Sequence, residues 1–506
     1  MKKIYTFLLP VLLFALLNCA NANPKESDNN DSDKEPSWGT AAEINKRLGK
    51  GMNIGNTFEA MSSWQSPFDP EDFKRIASLG FNHVRIPIRW EREDRSNPST
   101  PYSIHPEFME TIRSVVDEAL KNKLHIVINM HHHDALYADP AGQKARFLSQ
   151  WQQIADYFKE YPDSLLFEIM NEPHDNLTAD LWNDYSKEAL QVIRKSNSKR
   201  CVLLGVAEWG GVSALQKLDI PNDPNLILTI HYYNPFHFTH QAAEWVEGSE
   251  AWLGTGWHDT ESERKAIQED FKIAKKIARE KNIPIHIGEF GAFSRADMES
   301  RIRWTQYLAR WFEQQGFSWA YWEWNGSFGI FDPKTSTYHT ELADALLKSP
   351  IPKPLTPAYT TIYSSNFSKG NDGWHLYNND TSASSSTAIS DNRIKLTITK
   401  PGKAQWHIQL IKDGINVEQG KTYLIRFHIS SPGSDEKNIG LNISKSSDPW
   451  TSYAEKAFTI DKEDTEYELM FTATQSDARA RIVFSIGDNG TTDMILHTIQ
   501  WMEVEF

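Results

Sequence analysis

Leu165-Leu166-Phe167-Glu168-Ile169-Met170-Asn171-Glu172-Pro173-His174 (165–174) sets a short apolar run directly against a polar cluster. A run of this length, bounded by a proline, reads as a strand buried on both faces. Seven further runs share its texture: 51–55 (GMNIG), 83–88 (HVRIPI), 125–130 (HIVINM), 201–206 (CVLLGV), 226–231 (LILTIH), 283–288 (IPIHIG) and 317–322 (FSWAYW). Helix-length segments separate them, and some are amphipathic, as in Ile112 to Leu120 and Phe271 to Ala278. Eight strands alternating with helices predict an α/β fold, a (β/α)8 TIM barrel over residues 38–345.

Such a barrel carries its site at the C-terminal ends of its strands. The residues that follow the eight runs are rich in polar and aromatic side chains: Asn56 and Glu59, then Arg85 within run two, then His131, His132, His133 and Asp134. Asn171 and Glu172 follow, then His231 and Tyr233, Glu289, and finally Trp322, Glu323, Trp324 and Asn325. Cleavage of a glycosidic bond needs one carboxylic acid for the leaving oxygen and one carboxylate to attack or to activate water. Glu172 after run four and Glu289 after run seven would face each other across the mouth, and a retaining enzyme holds such a pair about 5–5.5 Å apart. Arg85 is placed to keep a nucleophile ionised, and Asn171 to hold a sugar 2-hydroxyl. A lone strand-end glutamate is more often an ion-pair partner; the assembled set favours catalysis.

Asn171-Glu172-Pro173 and Ile287-Gly288-Glu289-Phe290-Gly291 resemble the acid/base and nucleophile motifs of glycoside hydrolase family 5, in its cellulase branch. GMNIGNTFE, FNHVRIPIRW, INMHHHD, FEIMNEPH, HYYNPFHFTHQ and WAYWEWNGSFGIFD extend the likeness over roughly residues 38–345. The resemblance implies catalysis by Glu172 and Glu289. It also implies that Arg85, His131, Asn171, His231, Tyr233 and Trp322 line the subsite where the bond breaks, and that Asn56, Glu59, His132 and Glu323 touch sugar hydroxyls. His240 and Trp245 look like further glycan contacts of one cellulase branch.

His131-His132-His133-Asp134 also has the composition of a metal site. Successive strand residues point to opposite faces, so three in a row cannot meet one ion without a turn. No metal and no cofactor is therefore expected. Trp322, at the end of run eight, is expected to stack beneath a pyranose rather than to fill the core.

IPKPLTP (351–357), with three prolines, marks a stiff linker over 346–360. Beyond it the texture becomes alternation, as in Ile394, Leu396, Ile398 and Tyr423, Ile425, Phe427, Ile429. This predicts an antiparallel β-sandwich, a jelly roll, over 361–506. The domain resembles carbohydrate-binding modules of families 4 and 9. Its candidate ligand residues are Trp374, Trp406, Gln409, Trp450 and Tyr453, with Trp406 and Gln409 expected along one strand.

Lys2 and Lys3, the apolar run from Ile4 to Leu17 and Ala20-Asn21-Ala22 read as a signal peptide over 1–22, followed by an acidic, disordered tether over 23–37. Export is expected, with an outer-surface lipoprotein anchored at Cys19 as the alternative and lipidation as the sole route to a membrane. Cys201 then remains as a buried, inert thiol. With 53 Lys plus Arg against 67 Asp plus Glu, a net charge of −14, the chain lacks the basic footprint that nucleic acid requires. A neutral polysaccharide suits it, and so do its 18 Trp, 17 Tyr and 25 Phe. The expected function is a secreted, monomeric, retaining endo-β-1,4-glucanase. A β-mannanase, xyloglucanase or mixed-linkage glucanase would use the same site. A metal-dependent hydrolase or a glycan-binding wall protein are the readings from other classes.

Overall fold

A computed structural model describes residues 38–61, 63–433 and 437–506. The signal peptide, Cys19 and the tether lie outside the described residues. The eight apolar runs are strands β1 (Lys50–Asn53), β2 (His83–Ile86), β3 (His125–Asn129), β4 (Leu165–Glu168), β5 (Val202–Leu204), β6 (Leu226–His231), β7 (Ile285–Glu289) and β8 (Ser318–Tyr321). They pair in sequence order, parallel throughout, and β8 closes on β1. Strands β2 and β4 to β8 are buried along their whole length, which is why these runs are apolar rather than alternating. Helix α1 (Ala41–Leu48) starts at a Thr40–Glu43 capping box. Its Ala41, Ile44 and Leu48 pack on Val127, Leu166, Cys201, Leu203 and Ile227, sealing the end of the barrel opposite the mouth. Cys201 is a free, buried thiol, and burial pushes it up to about 12.

A two-stranded ribbon follows the barrel, β9 (Phe331–Asp332) with β10 (Thr337–Tyr338). The described residues of the C-terminal region form eleven strands: β11 (Ala358–Ser365), β12 (Trp374–Asn378), β13 (Ala383–Ser390), β14 (Arg393–Pro401), β15 (Ile408–Val417), β16 (Thr422–Ser430), β17 (Lys437–Ser444), β18 (Ser452–Ile460), β19 (Thr465–Thr472), β20 (Asp477–Ser485) and β21 (Met494–Glu505). They make two antiparallel sheets, one ordered β13-β14-β21-β16-β19 with β11 on β21, the other β12-β15-β20-β17-β18. Alternate residues such as Ile394, Leu396, Ile425, Phe427, Ile482 and Phe484 fill the space between them. Trp374 belongs to this core, stacked on Phe484. Trp406 and Trp450 are about half exposed, 54% and 50%. Trp406 departs from expectation in one respect: it sits in a 3-10 turn, Gln405–His407, and only Gln409 lies on β15.

The linker is docked along the barrel. Arg264 Nη2 donates to Pro352 O at 2.8 Å, Leu355 N to Asp259 O at 2.9 Å, Gln306 Nε2 to Pro350 O and Arg310 Nη1 to Ser349 O. Proline removes backbone donors but leaves every carbonyl free to accept, and barrel side chains use two of them.

Candidate active site

Arg85, fully buried on β2, organises the barrel mouth. Its Nε and Nη2 meet both oxygens of Glu168 at 2.6 and 2.7 Å, Nη2 reaches Asn171 Oδ1 at 2.6 Å, and Nη1 reaches Asn53 Oδ1 and Glu289 Oε1 at 2.8 Å. Burial works against its charge, but Glu168 and Glu289 raise its pKa, so Arg85 stays cationic. Glu289 ends β7, and its Oε2 accepts from Tyr233 Oη at 2.9 Å. Glu172, four residues past the end of β4, has its Oε1 2.7 Å from His231 Nδ1. The side chain of Glu172 is 21% exposed and that of Glu289 only 6%. One group can therefore exchange protons with solvent while the other is shielded.

One carboxylate oxygen from Glu172, one from Glu289 and a ring nitrogen of His231 lie within 4.8 Å of one another. Among the described residues this is the one set of groups close enough to share a metal ion. Its atoms are already engaged by Arg85, Tyr233 and one another. The three groups titrate together. Burial disfavours the charged imidazole, yet Glu289 and the hydrogen bond to Glu172 raise the pKa of His231. Burial pushes Glu172 up, but the hydrogen bond and charge of His231 outweigh it and bring the carboxyl below its ordinary value. Glu289 is raised by burial against the pull of His231 and Arg85. Glu172 and His231 are therefore partners for proton exchange across one 2.7 Å hydrogen bond.

His231 owes its position to two glycines. A Cβ on Gly210 would fall 3.2 Å from the imidazole Nδ1 and 3.3 Å from Glu172 Cγ, and one on Gly288 would fall 3.0 Å from Nε2. Both backbones press on the ring, and neither place accepts a larger residue without moving it.

The remaining candidates form two groups around this centre. Asn56, Glu59 and Glu323 interlock: the Asn56 backbone N–H donates to Glu59 Oε1, its Nδ2 donates to Glu323 Oε2, and Thr57 N donates to Glu59 Oε2 at 3.1 Å. Trp322 lies parallel to His131, centroids 5.7 Å apart, and His132 meets His131 edge-on. His131 bonds Asn129, while His133 turns away to accept from Leu136 N, so the histidine run does not converge. On the other side Tyr233 packs on His240, which stacks on Phe236 and meets the edge of Trp245; the indole of Trp245 is largely exposed. Tyr233 ties this second group directly to Glu289. The sequence did not single out Glu168, which supplies the counter-charge for Arg85, although a glutamate inside an apolar strand run is itself a signal of a buried partner. Nor did it single out Glu208-Trp209-Gly210, a turn beyond β5 in which three consecutive residues have positive φ, 56°, 60° and 71°. For the two non-glycine residues that conformation costs about 1–3 kcal/mol each.

Burial pushes Glu59 up to about 7 and Glu323 up to about 8, with the charge of Glu59 adding to the rise at Glu323. The unfolded chain releases these protons near 4.3. Between that value and about 8 the folded state binds more protons than the unfolded one, so stability falls as pH rises through the window. Melting temperatures measured from pH 5 to 8 should decline, and Glu323→Gln should flatten the decline. An unchanged slope in the variant would show that Glu323 is already ionised at pH 5.

The family model for cellulase, glycosyl hydrolase family 5, matches residues 47–328, more than half of the chain. The chain belongs to glycosyl hydrolase family 5. A carbohydrate binding domain model matches residues 359–491. The family 5 region is 35% identical over 313 residues to Endoglucanase H of Acetivibrio thermocellus, an alignment covering 60% of this chain and 33% of that protein. The chain thus spans a third of that relative's length. Crystal structures of Thermotoga maritima Cel5A, one with cellobiose and one with mannotriose, are 47% identical with a TM-score of 0.59; each covers 60% of this chain and 99% of its own.

Proposed function

We propose that this family 5 protein is an exported, retaining endo-β-1,4-glucanase. The observation that carries the reading is the convergence of Glu172, His231 and Glu289 within 4.8 Å, too close for the water that an inverting pair must admit at about 6.5–9.5 Å. For the first step Glu172 carries the proton toward the glycosidic oxygen, with His231, 2.7 Å away, as its proton-exchange partner. Glu289, oriented by Arg85 and Tyr233, attacks the anomeric carbon as Glu172 protonates the departing oxygen, and a glycosyl ester forms. Water then enters, Glu172 takes its proton, and the ester opens with a second inversion. Asn171 uses its carbonyl oxygen on Arg85, which leaves the amide nitrogen as the donor for a sugar hydroxyl. Trp322 and the Asn56, Glu59 and Glu323 cluster would hold sugar rings on the Glu289 side.

The sandwich would hold the polymer. Tyr377, Gln409, Ser485 and Gly440 are successive register partners across β12, β15, β20 and β17, on the face away from the core. Trp406 flanks this face, and Trp450, between β17 and β18, flanks it with its ring 4.4 Å from the guanidinium of Arg481 on β20. A β-mannan is the second reading, because the similar Cel5A was crystallised with mannotriose as well as cellobiose.

Reducing-end release from a panel of purified cellulose, mixed-linkage glucan, xyloglucan and mannan tests the substrate class. The same reactions followed by proton NMR should show the β-anomer first, with the α-anomer arising only by mutarotation. Early α product would remove the nucleophile role from Glu289. Full activity after chelator treatment is expected, and its loss would revive the metal-dependent reading.

A further inference from the structure

Between β6 and the helix Glu261–Asp270 the chain makes a long loop, 232–260, that touches the catalytic centre with one part and the sandwich with another. On the inner side Thr239 Oγ1 donates to the Tyr233 carbonyl at 2.5 Å, the His240 ring packs edge-on against Tyr233, and Tyr233 Oη donates to Glu289. On the outer side Gly254 lies against the connection from β19 to β20: a Cβ there would fall 3.2 Å from Thr474 Cγ2. The His258 ring stacks on Phe506, just past β21, with 3.7 Å between centroids and an angle of 6°. Gln241 joins the two sides. It is 1% exposed; its Oε1 accepts from Gly254 N at 2.9 Å, and its Nε2 donates to Thr255 O at 2.8 Å and to Phe238 O at 2.9 Å. Both amide hydrogens and the carbonyl are thus engaged, and they pin the stretch that meets the sandwich to the residue next to His240.

We infer that Gln241 is a positioning residue for the hydrolytic reaction and that the sandwich, through Thr474 and Phe506, is the brace it works against, a reading that rests on the glucanase function proposed above. A long rim loop is held only by what it packs on, and this one leaves Phe236, Trp245 and Leu253 exposed. Its restraint comes from the sandwich contacts and from the linker, whose Leu355 N bonds to Asp259 O. Its inner side carries the hydroxyl that orients the nucleophile, where a shift of 1 Å can cost about 10²-fold in rate. Every link from Thr474 through Gly254, Gln241, His240 and Tyr233 to Glu289 is a direct contact or a chain neighbour, so a disturbance at the sandwich has a physical route to the carboxylate. The sandwich then serves catalysis on short substrates too, apart from any grip on polymer.

The test uses the full chain and cellotetraose. Thr474→Trp with Phe506→Ala wedges the contact open from the sandwich side; both positions are exposed, so affinity for polymer in electrophoresis should hold while kcat/KM on cellotetraose falls about threefold. Gln241→Ala should cost about tenfold. The combined variant should be no slower than Gln241→Ala alone, because one route is cut twice. Glu289 is faced by Arg85, His231, Glu172, Glu59, Glu323 and Tyr233, and of these the loop carries Tyr233, whose hydrogen bond favours the ionised carboxylate. The acidic limb of the kcat/KM profile should therefore move to higher pH in Gln241→Ala and in the sandwich variant. Wild-type kcat/KM in the sandwich variant, losses that multiply in the combined variant, or an acidic limb that stays in place overturns the proposal and leaves Gln241 a structural residue. Wild-type turnover of cellotetraose upholds the glucanase reading by itself, so the two failures are told apart.

Discussion

Glu289→Ala is expected to lose turnover on every substrate, by about 10⁶-fold, the scale on which a covalent nucleophile acts in other hydrolases. The carboxylate grouped with it, Glu172, is already bonded to His231 and has its own role. Glu172→Ala should behave differently. On polymer the loss should be about 10²–10⁴-fold, the usual worth of general acid–base catalysis. On substrates with strongly acidic leaving groups the first step needs no proton, so the covalent ester should form rapidly and accumulate. Burst kinetics with a dinitrophenyl cellobioside would show this, and mass spectrometry would find the added glycosyl mass on the peptide containing Glu289. Equal losses in both variants on both substrates would sink the division of roles.

A second large effect is expected at Glu168. This carboxylate and Arg85 are both fully buried and joined by bonds of 2.6 and 2.7 Å. Removing one member of such a pair leaves an uncompensated charge and costs about 3–5 kcal/mol. Glu168→Leu should therefore lower the melting temperature by roughly 6–20 °C, at about 2–4 °C per kcal/mol for a domain of this size. Glu168→Gln, which keeps an acceptor for one guanidinium hydrogen, should fall between. Activity should drop in both, because Arg85 would then draw more tightly on Glu289 and weaken it as a nucleophile. Calorimetry showing a shift under about 2 °C for Glu168→Leu would mean that Glu289 and Asn171 suffice to balance Arg85.

The barrel was legible because each of its strands is buried on both faces and so advertises itself as an unbroken apolar run. The sandwich was legible from the period of two in β14, β16 and β20. Residues immediately after a barrel strand were easy to collect, since topology alone brings strand ends together. What escaped depends on tertiary closure. A left-handed turn in Glu208-Trp209 has no local marker beyond the glycine that follows it, since neither residue favours positive φ. The docking of 349–355 depends on arginines and a glutamine more than forty positions away on average in the chain, as with Arg264 and Pro352, 88 residues apart. The placement of Trp406 on a turn instead of a strand is a shift of two residues, the ordinary uncertainty of an element boundary.

The docked connection between barrel and sandwich is closer to a splint than to a leash. A slack tether lets a binding module wander, and its advantage is an average over many positions. Here Arg264, Asp259, Gln306 and Arg310 hold the peptide from Ser349 to Leu355 against the barrel wall. A polysaccharide strand gripped by the sandwich would keep one bearing relative to the mouth, and a pull along that strand would be passed on to the barrel instead of being taken up as slack.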